Sequence, residues 1–392
     1  MPWMELDIVI LRKQFIQEYL DKDFPSFSYL CSSYGISTKT GYKWRNRFLS
    51  GGYNNLEDKS RAPHTIRHRT PDEICERIIQ TKLSHLNWGP KKVLDNLRKH
   101  HPTLLLPADS TAGEILKKAG LVKKRKKRHH VSADEHAFAD CEQSNQTWGV
   151  DYKGQFKLGN GQWCYPLTMT DNHSRYLLQC KALQSTAYSD AKDWMERCFR
   201  EYGLPQNMRS DNGTPFSSMA AGGISQLSKW WIQLGIRPER IKPGHPQQNG
   251  RHERMHRTLK QETAKPPAYN EDSQQAKFDH FKTEFNHERS HEALQRKCPA
   301  DVYEPSTRNY PDVLPEIVYD EGCETRKVKR GGEIKWRGNH IYISQVLCHD
   351  RISLKEIDND LWEICYGFYK LGELDTKKAQ LKRATQWHYK GK

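Results

Sequence analysis

Asp151, Asp211 and Glu253 are three acids whose local sequence presents them rather than buries them. Asp211 lies in Arg209-Ser210-Asp211-Asn212-Gly213-Thr214-Pro215-Phe216, where Asn212-Gly213 is strong turn chemistry and Pro215 cannot continue a strand ladder. This pattern predicts a carboxylate at a strand end. Asp151 lies in Thr147-Trp148-Gly149-Val150-Asp151-Tyr152, and the apolar-rich runs on either side of Gly159-Asn160-Gly161 predict a hairpin with Asp151 on its first strand. Strand residues alternate faces, so one acid can point out of an otherwise apolar segment. Glu253 follows Asn249-Gly250 and opens a helical stretch in which Met255 and Leu259 share one side, with Glu253, Arg257 and Lys260 opposite.

Read as a set with no Cys or His counted among the ligands, three carboxylates suit a hard divalent cation such as Mg²⁺ or Mn²⁺, which prefers oxygen donors. Two such ions activate one oxygen and stabilise the leaving one during in-line displacement at phosphorus. The chemistry expected is phosphodiester cleavage or transfer. A single Asp in a turn is more often a cap, so the weight rests on the combination. Asp171 and Glu262 are the rivals: the first reads as a turn acid between two strand-like runs, the second as a helix acid beyond the Met255/Leu259 stripe.

Further motifs flank the acids, namely Thr170-Asp171-Asn172-His173-Ser174-Arg175-Tyr176 and Gly244-His245-Pro246-Gln247-Gln248-Asn249-Gly250. With Trp148-Gly149-Val150-Asp151 and Ser210-Asp211-Asn212-Gly213, the chain resembles the insertion-sequence transposases of the retroviral-integrase superfamily. The resemblance runs over nearly the whole chain, from Met1-Pro2-Trp3 to Asn286-His287-Glu288-Arg289-Ser290-His291-Glu292-Ala293-Leu294. It implies an RNase H-like fold with Asp151, Asp211 and Glu253 as catalytic acids and metal ligands for two Mg²⁺ or Mn²⁺ ions. The stretch between Asp211 and Glu253 is longer than the shortest integrase spacing and contains Ala220-Ala221-Gly222-Gly223, expected as an extra turn or flexible loop.

The elements that position these groups suggest a multidomain chain. Its 392 residues carry 63 Lys and Arg against 48 acids, a formal charge of +15 and a pI near 9.2, a balance that favours a polyanionic partner, which the resemblance implies is double-stranded DNA. No apolar run reaches the length of a membrane span, so no membrane partner is expected. No secretory signal is seen at the N-terminus, so the protein is expected to stay inside the cell; the resemblance implies the cytoplasm of a prokaryote, associated with the nucleoid. Ten cysteines stand singly, without a Cys-x-x-Cys pair, so reduced thiols and no zinc site are expected.

Residues 1–52 read as an all-α helix-turn-helix unit, with the third helix as DNA reader through Lys39, Lys43, Arg45 and Arg47. A basic linker, 53–69, contains Arg61, Arg67 and Arg69 and either tracks DNA or tethers. A second helix-turn-helix spans 70–122, offering Lys91, Lys92, Ser110, Thr111 and Lys117 to DNA. The linker 123–144 holds Lys123-Lys124-Arg125-Lys126-Lys127-Arg128, cations that repel one another unless phosphates neutralise them. An α/β core at 145–265, where Arg257 and Lys260 are further DNA candidates, continues into a helical extension at 266–310. Residues 311–378 read as a small all-β barrel, similar to the SH3-like C-terminal domains of integrases, followed by a basic tail, 379–392.

The function expected is that of a DNA transposase: cleavage, then attack of the freed 3′-hydroxyl on target DNA, by at least a dimer because two element ends are cut. No phosphate loop of the Gly-x-x-x-x-Gly-Lys-Ser/Thr kind is present, in keeping with transesterification that needs no nucleotide. A silent DNA-binding regulator and an RNase H-like nuclease without strand transfer are the alternatives.

Overall fold

A computed structural model describes residues 7–59, 69–122, 141–242 and 246–384. The chain divides into two compact units, with the boundary in sequence between Arg69 and Thr70. In the first, helices α1 (Ile8–Asp21), α2 (Phe27–Ser33) and α3 (Thr38–Gly51) enclose Phe15, Ile16, Leu30, Cys31, Trp44 and Leu56. Ser26 and Ser37 cap α2 and α3, each hydroxyl accepting a backbone N–H of the first turn.

The second unit begins with α4 (Asp72–Ser84), α5 (Pro90–His100) and α6 (Asp109–Lys118), packed around Ile78, Trp88, Val93, Leu94 and Leu116. Its centre is a mixed sheet of β1 (Thr147–Tyr152), β2 (Phe156–Lys157), β3 (Trp163–Asp171), β4 (Leu177–Leu183), β5 (Asn207–Ser210) and β6 (Arg237–Arg240). β1, β3 and β4 form the antiparallel part, β5 and β6 run parallel to β1, and β2 pairs β3. Alternation sorts the two faces of this sheet. Trp148 and Val150 of β1 and Leu167 and Met169 of β3 pack on α7 (Tyr188–Tyr202) and α8 (Gln226–Gln233), through Met195, Phe199, Leu227 and Trp231. The other face takes α9 (Gly250–Thr263) and α10 (Glu271–His287), whose Met255, Leu259, Phe278, Phe281 and Phe285 meet Cys164, Leu177 and Cys180. The residues of β1 and β3 between the apolar ones, Gly149, Asp151, Thr168 and Thr170, thus belong to the α9 side.

The C-terminal region is all β: β7 (Glu324–Lys327), β8 (Glu333–Trp336), β9 (Asn339–Tyr342), β10 (Arg351–Asp358), β11 (Leu361–Tyr366), β12 (Tyr369–Asp375) and β13 (Gln380–Arg383). The expected barrel is not closed. Strands in the order β13-β12-β11-β10-β7 form an open antiparallel sheet, beside a separate β8-β9 hairpin. The physical reason lies in what covers the apolar face. Val328, Ile352, Leu354, Ile364 and Leu371 share a cluster with Trp336 and Ile341 of the hairpin and with Ala221, Ile224 and Ile232 of the core, so the sheet buries its face without meeting its own far edge. The Ala220-Ala221-Gly222-Gly223 stretch is the anchor for this docking. Ala221–Gly223 makes a 3₁₀ turn whose Gly222 carbonyl accepts hydrogen bonds from Tyr369 Oη (3.0 Å) and from buried Arg240 (2.9 Å), while the Gly223 carbonyl accepts from Arg240 at 2.6 Å. A side chain at Gly222 would run into the backbone of Lys370 and Leu371.

Candidate active site

The parallel register between β1 and β5 runs Thr147–Asn207, Trp148–Met208, Gly149–Arg209. Asp151 and Asp211 each lie two residues beyond the last pair, at corresponding positions of neighbouring strands. Asp211 follows the end of β5, where Gly213 N–H donates to its Oδ1 at 3.0 Å, the local turn that Asn212-Gly213 predicts. Asn212 is itself held by a 2.8 Å bond to the Ile241 carbonyl. Glu253 stands exposed in the first turn of α9, where the helix dipole favours an acid. Burial raises the Asp151 carboxyl to about 7, and the negative charges of Asp211 and Glu253 push it the same way. Three acids therefore share one electrostatic environment.

The rival acids are occupied. Asp171 is fully buried and accepts from Asn145 N (2.9 Å), Ser174 N (2.7 Å) and Ser174 Oγ (2.6 Å). Glu262 pairs with Arg289 at 3.0 Å.

Behind the acids lies a polar network absent from the reading of the sequence. The buried side of α9 carries His252 and His256 as well as Met255 and Leu259, and both rings reach Thr168: its Oγ1 is 2.7 Å from His252 Nε2, 2.6 Å from His256 Nε2 and 3.0 Å from the Asp151 carbonyl oxygen. Thr170 Oγ1 meets His252 Nδ1 at 2.9 Å, and His256 Nδ1 lies 3.7 Å from Asp151 Oδ2. Burial lowers both imidazoles, His252 to about 3. Gly149 makes room for this packing, because a Cβ there would lie 2.9 Å from His252 Nδ1. The signal was present in the sequence as His252, Met255, His256 and Leu259 at i, i+3, i+4 and i+7. Lys153 is a second omission: burial and Lys260 depress its amine while Asp151 and Glu253 act in the opposite sense, and Lys153 and Lys260 line one small cavity of about 120 Å³.

The DNA candidates fall into distinct settings. On α3, Lys39 and Lys43 are exposed, Arg45 lies near the Tyr19 and Tyr42 rings, and Arg47 covers Trp44 at 4.8 Å. Arg69 is exposed, as are Ser110 and Thr111 in the first turn of α6. Lys117 pairs with Glu114 at 3.5 Å. Arg257 and Lys260 are exposed on α9. Lys91 pairs with Glu292 at 3.3 Å, and Lys92 donates to the Ser290 carbonyl, its amine lowered to about 8 mainly by burial. These last two are engaged within the chain. Arg61, Arg67, Lys123, Lys124, Arg125, Lys126, Lys127 and Arg128 lie outside the described residues, as do Pro243, Gly244 and His245. No helix among the described residues is long and apolar enough to cross a membrane.

Comparison with known proteins agrees with this architecture. Two models described as integrase core domain match residues 142–246 and 234–299, and a homeodomain-like domain model matches residues 40–116. The Gag-Pol polyprotein of baboon endogenous virus (strain M7) is 31% identical over 118 residues, which are 30% of this chain and 6% of the polyprotein. A 39.2 kDa protein of insertion element IS476 from Xanthomonas euvesicatoria is 27% identical over 45% of this chain and 48% of its own length. A 31.7 kDa protein of insertion element IS407 from Burkholderia multivorans (strain ATCC 17616 / 249) is 24% identical over 52% of this chain and 73% of its own. The chain thus matches integrase core models over residues 142–299 and a homeodomain-like model before them, and is similar in sequence to insertion-element proteins.

Proposed function

We propose that this chain, with its integrase core and insertion-element relatives, is a DNA transposase that cuts element ends and joins the freed 3′-hydroxyl to target DNA. The observation that supports this reading is that Asp151 and Asp211 lie two residues past the last β1–β5 pair, with Glu253 in the first turn of α9, and that the charges of Asp211 and Glu253 both act to raise the Asp151 carboxyl. Burial raises the Asp151 carboxyl first, and the negative charges of Asp211 and Glu253 act in the same direction. A divalent cation relieves both, so the donor set fits Mg²⁺ or Mn²⁺, two ions being expected. When bound there, the metal supplies Lewis acidity at phosphorus.

The chain's own residues do the rest. Asp151, Asp211 and Glu253 hold the cations, and the Thr168 network fixes the strand segment that carries Asp151. Arg257 and Lys260, on the exposed side of α9 with Glu253, take phosphates of the bound strand, with Lys153 beside them. Lys39, Lys43, Arg45 and Arg47 of α3, with Ser110 and Thr111 of α6, read or grip the duplex at the element ends, and the basic linkers add counterion release. Cutting two ends in one event calls for at least a dimer, working in a prokaryotic cell on the nucleoid.

The test is metal-dependent cleavage and joining on a labelled duplex carrying the element's end sequence, with wild type beside Asp211→Asn. Joined product from the wild type alone supports the transposase. Cleavage without joining makes the protein an RNase H-like nuclease, and tight binding without metal-dependent cutting leaves a DNA-binding regulator.

A further inference from the structure

We propose that His256 Nδ1 is a metal ligand, so that the site grips a cation through carboxylate oxygens and one imidazole nitrogen. This rests on the reading above that Asp151 holds a divalent cation.

The argument starts at Thr168, whose single hydroxyl has three partners: the Asp151 carbonyl oxygen at 3.0 Å, His252 Nε2 at 2.7 Å and His256 Nε2 at 2.6 Å. A carbonyl only accepts, so the hydroxyl proton goes to Asp151, and both imidazoles must donate from Nε2 to the hydroxyl oxygen. That accounting sets the tautomer of each ring. His252 is then complete, because its Nδ1 lone pair accepts from Thr170 Oγ1 at 2.9 Å. His256 is not complete. Its Nδ1 lone pair faces Asp151 Oδ2 at 3.7 Å, beyond hydrogen-bond length.

Two electron-rich atoms held at that separation repel unless a proton or a cation lies between them, and 3.7 Å is too long for a shared proton. Metal–nitrogen and metal–oxygen bonds of about 2.0–2.2 Å span the gap at a wide angle. An imidazole that binds metal usually donates its other N–H to an oxygen, which aims the ligating nitrogen, and the His256–Thr168 bond has that form. The ligand atoms of Asp151, His252 and His256 all lie within 4.8 Å of one another, but hydrogen bonding divides the group: Asp151 and His256 remain available, and His252 is spent on Thr170 and Thr168. The pair is also well buried, with side-chain exposures of 18% and 6%, so water competes poorly for it.

An imidazole ligand shifts preference from Mg²⁺ toward Mn²⁺. The decisive measurement is the electron-spin-echo modulation of Mn²⁺ bound to the intact protein, grown with natural or ¹⁵N-labelled histidine. The expected result is ¹⁴N modulation that changes to ¹⁵N on labelling and disappears in His256→Gln. That variant should also lose on the order of tenfold in Mn²⁺ affinity while holding Mg²⁺ much as before. Mn²⁺ bound without nitrogen modulation, or with modulation that survives in His256→Gln, overturns the proposal and leaves an all-oxygen triad. Failure of the wild type to bind Mn²⁺ at all overturns this proposal and the metal-dependent reading together. The labelled wild type alone decides the first question, whatever the folding of the variant.

Discussion

Arg296 clasps Asp109, the first residue of α6, with hydrogen bonds of 2.9 and 3.0 Å, and its Nε donates to Asp95 of α5 at 3.0 Å. One arginine after α10 therefore ties two helices of the second helical group to the segment that follows the core. Neighbouring contacts extend the seam: Ser290 Oγ to Asp95 at 2.6 Å, Asn96 to Glu288 at 2.8 Å and His85 to Glu284 at 3.1 Å.

Arg296→Ala should loosen that seam without unfolding the core. The half-exposed setting of the arginine moderates the effect to roughly 1–3 kcal/mol. Hydrogen exchange should accelerate in α5 and α6 and stay unchanged in β1, β3 and β5. Equal acceleration in the central sheet would sink the expectation.

Thr168→Val keeps the shape of the side chain and removes its hydroxyl. Two buried imidazole N–H groups and one carbonyl then lose their partner, and orphaned buried donors cost roughly 1–3 kcal/mol each. Denaturant unfolding should show a loss of about 2–5 kcal/mol, and a change below about 0.5 kcal/mol would mean that the network does not exist in solution.

Arg240→Met tests how the C-terminal sheet is held. The guanidinium is buried and bonds the Gly222 and Gly223 carbonyls, so its removal leaves the first to Tyr369 Oη and the second to the Ser218 N–H, and takes two hydrogen bonds from the contact with β12. We expect protease cleavage near residues 220–223 to become faster at native conditions, with the β10–β11 pairing retained. Unaltered cleavage would assign the docking to apolar contacts alone.

Lys92 supplies a pH test. Its amine is lowered from 10.5 to about 8, chiefly by burial and then by Arg289, so the folded chain releases this proton before the unfolded chain does. Between pH 8 and 10.5 the unfolded state binds more protons at this position, so stability from Lys92 rises with pH across that window and stays level at its lower value below it. Lys92→Met should remove a slope amounting to at most ~3 kcal/mol. Parallel stability curves for wild type and variant from pH 8 to 10 would exclude a buried amine.

Much of the site was legible from local rules. Asn212-Gly213 makes the turn that follows β5, the alternation around Asp151 produces a strand, and Met255 with Leu259 marks the buried side of α9, because turn preference and periodicity act within a few residues. The helix starts at Ser26 and Ser37 follow from the same short-range chemistry. Asp171 and Glu262 were separable only in part, since their fate rests on Asn145 and Arg289, residues far away in sequence.

What sequence reading missed is of the long-range kind. An all-oxygen site is the natural inference from three acids, and the contact of His256 with Thr168 and its approach to Asp151 arise only because α9 lies across the β1–β3 face. Lys91 and Lys92 look like exposed cations on a short basic helix until Glu292 and Ser290 arrive from the other end of the chain. Likewise the strand pattern of residues 324–383 is compatible with a closed barrel or an open sheet. The choice falls to the open sheet because Ala221, Ile224 and Ile232 cover its apolar face, a packing energy that no local window of sequence contains.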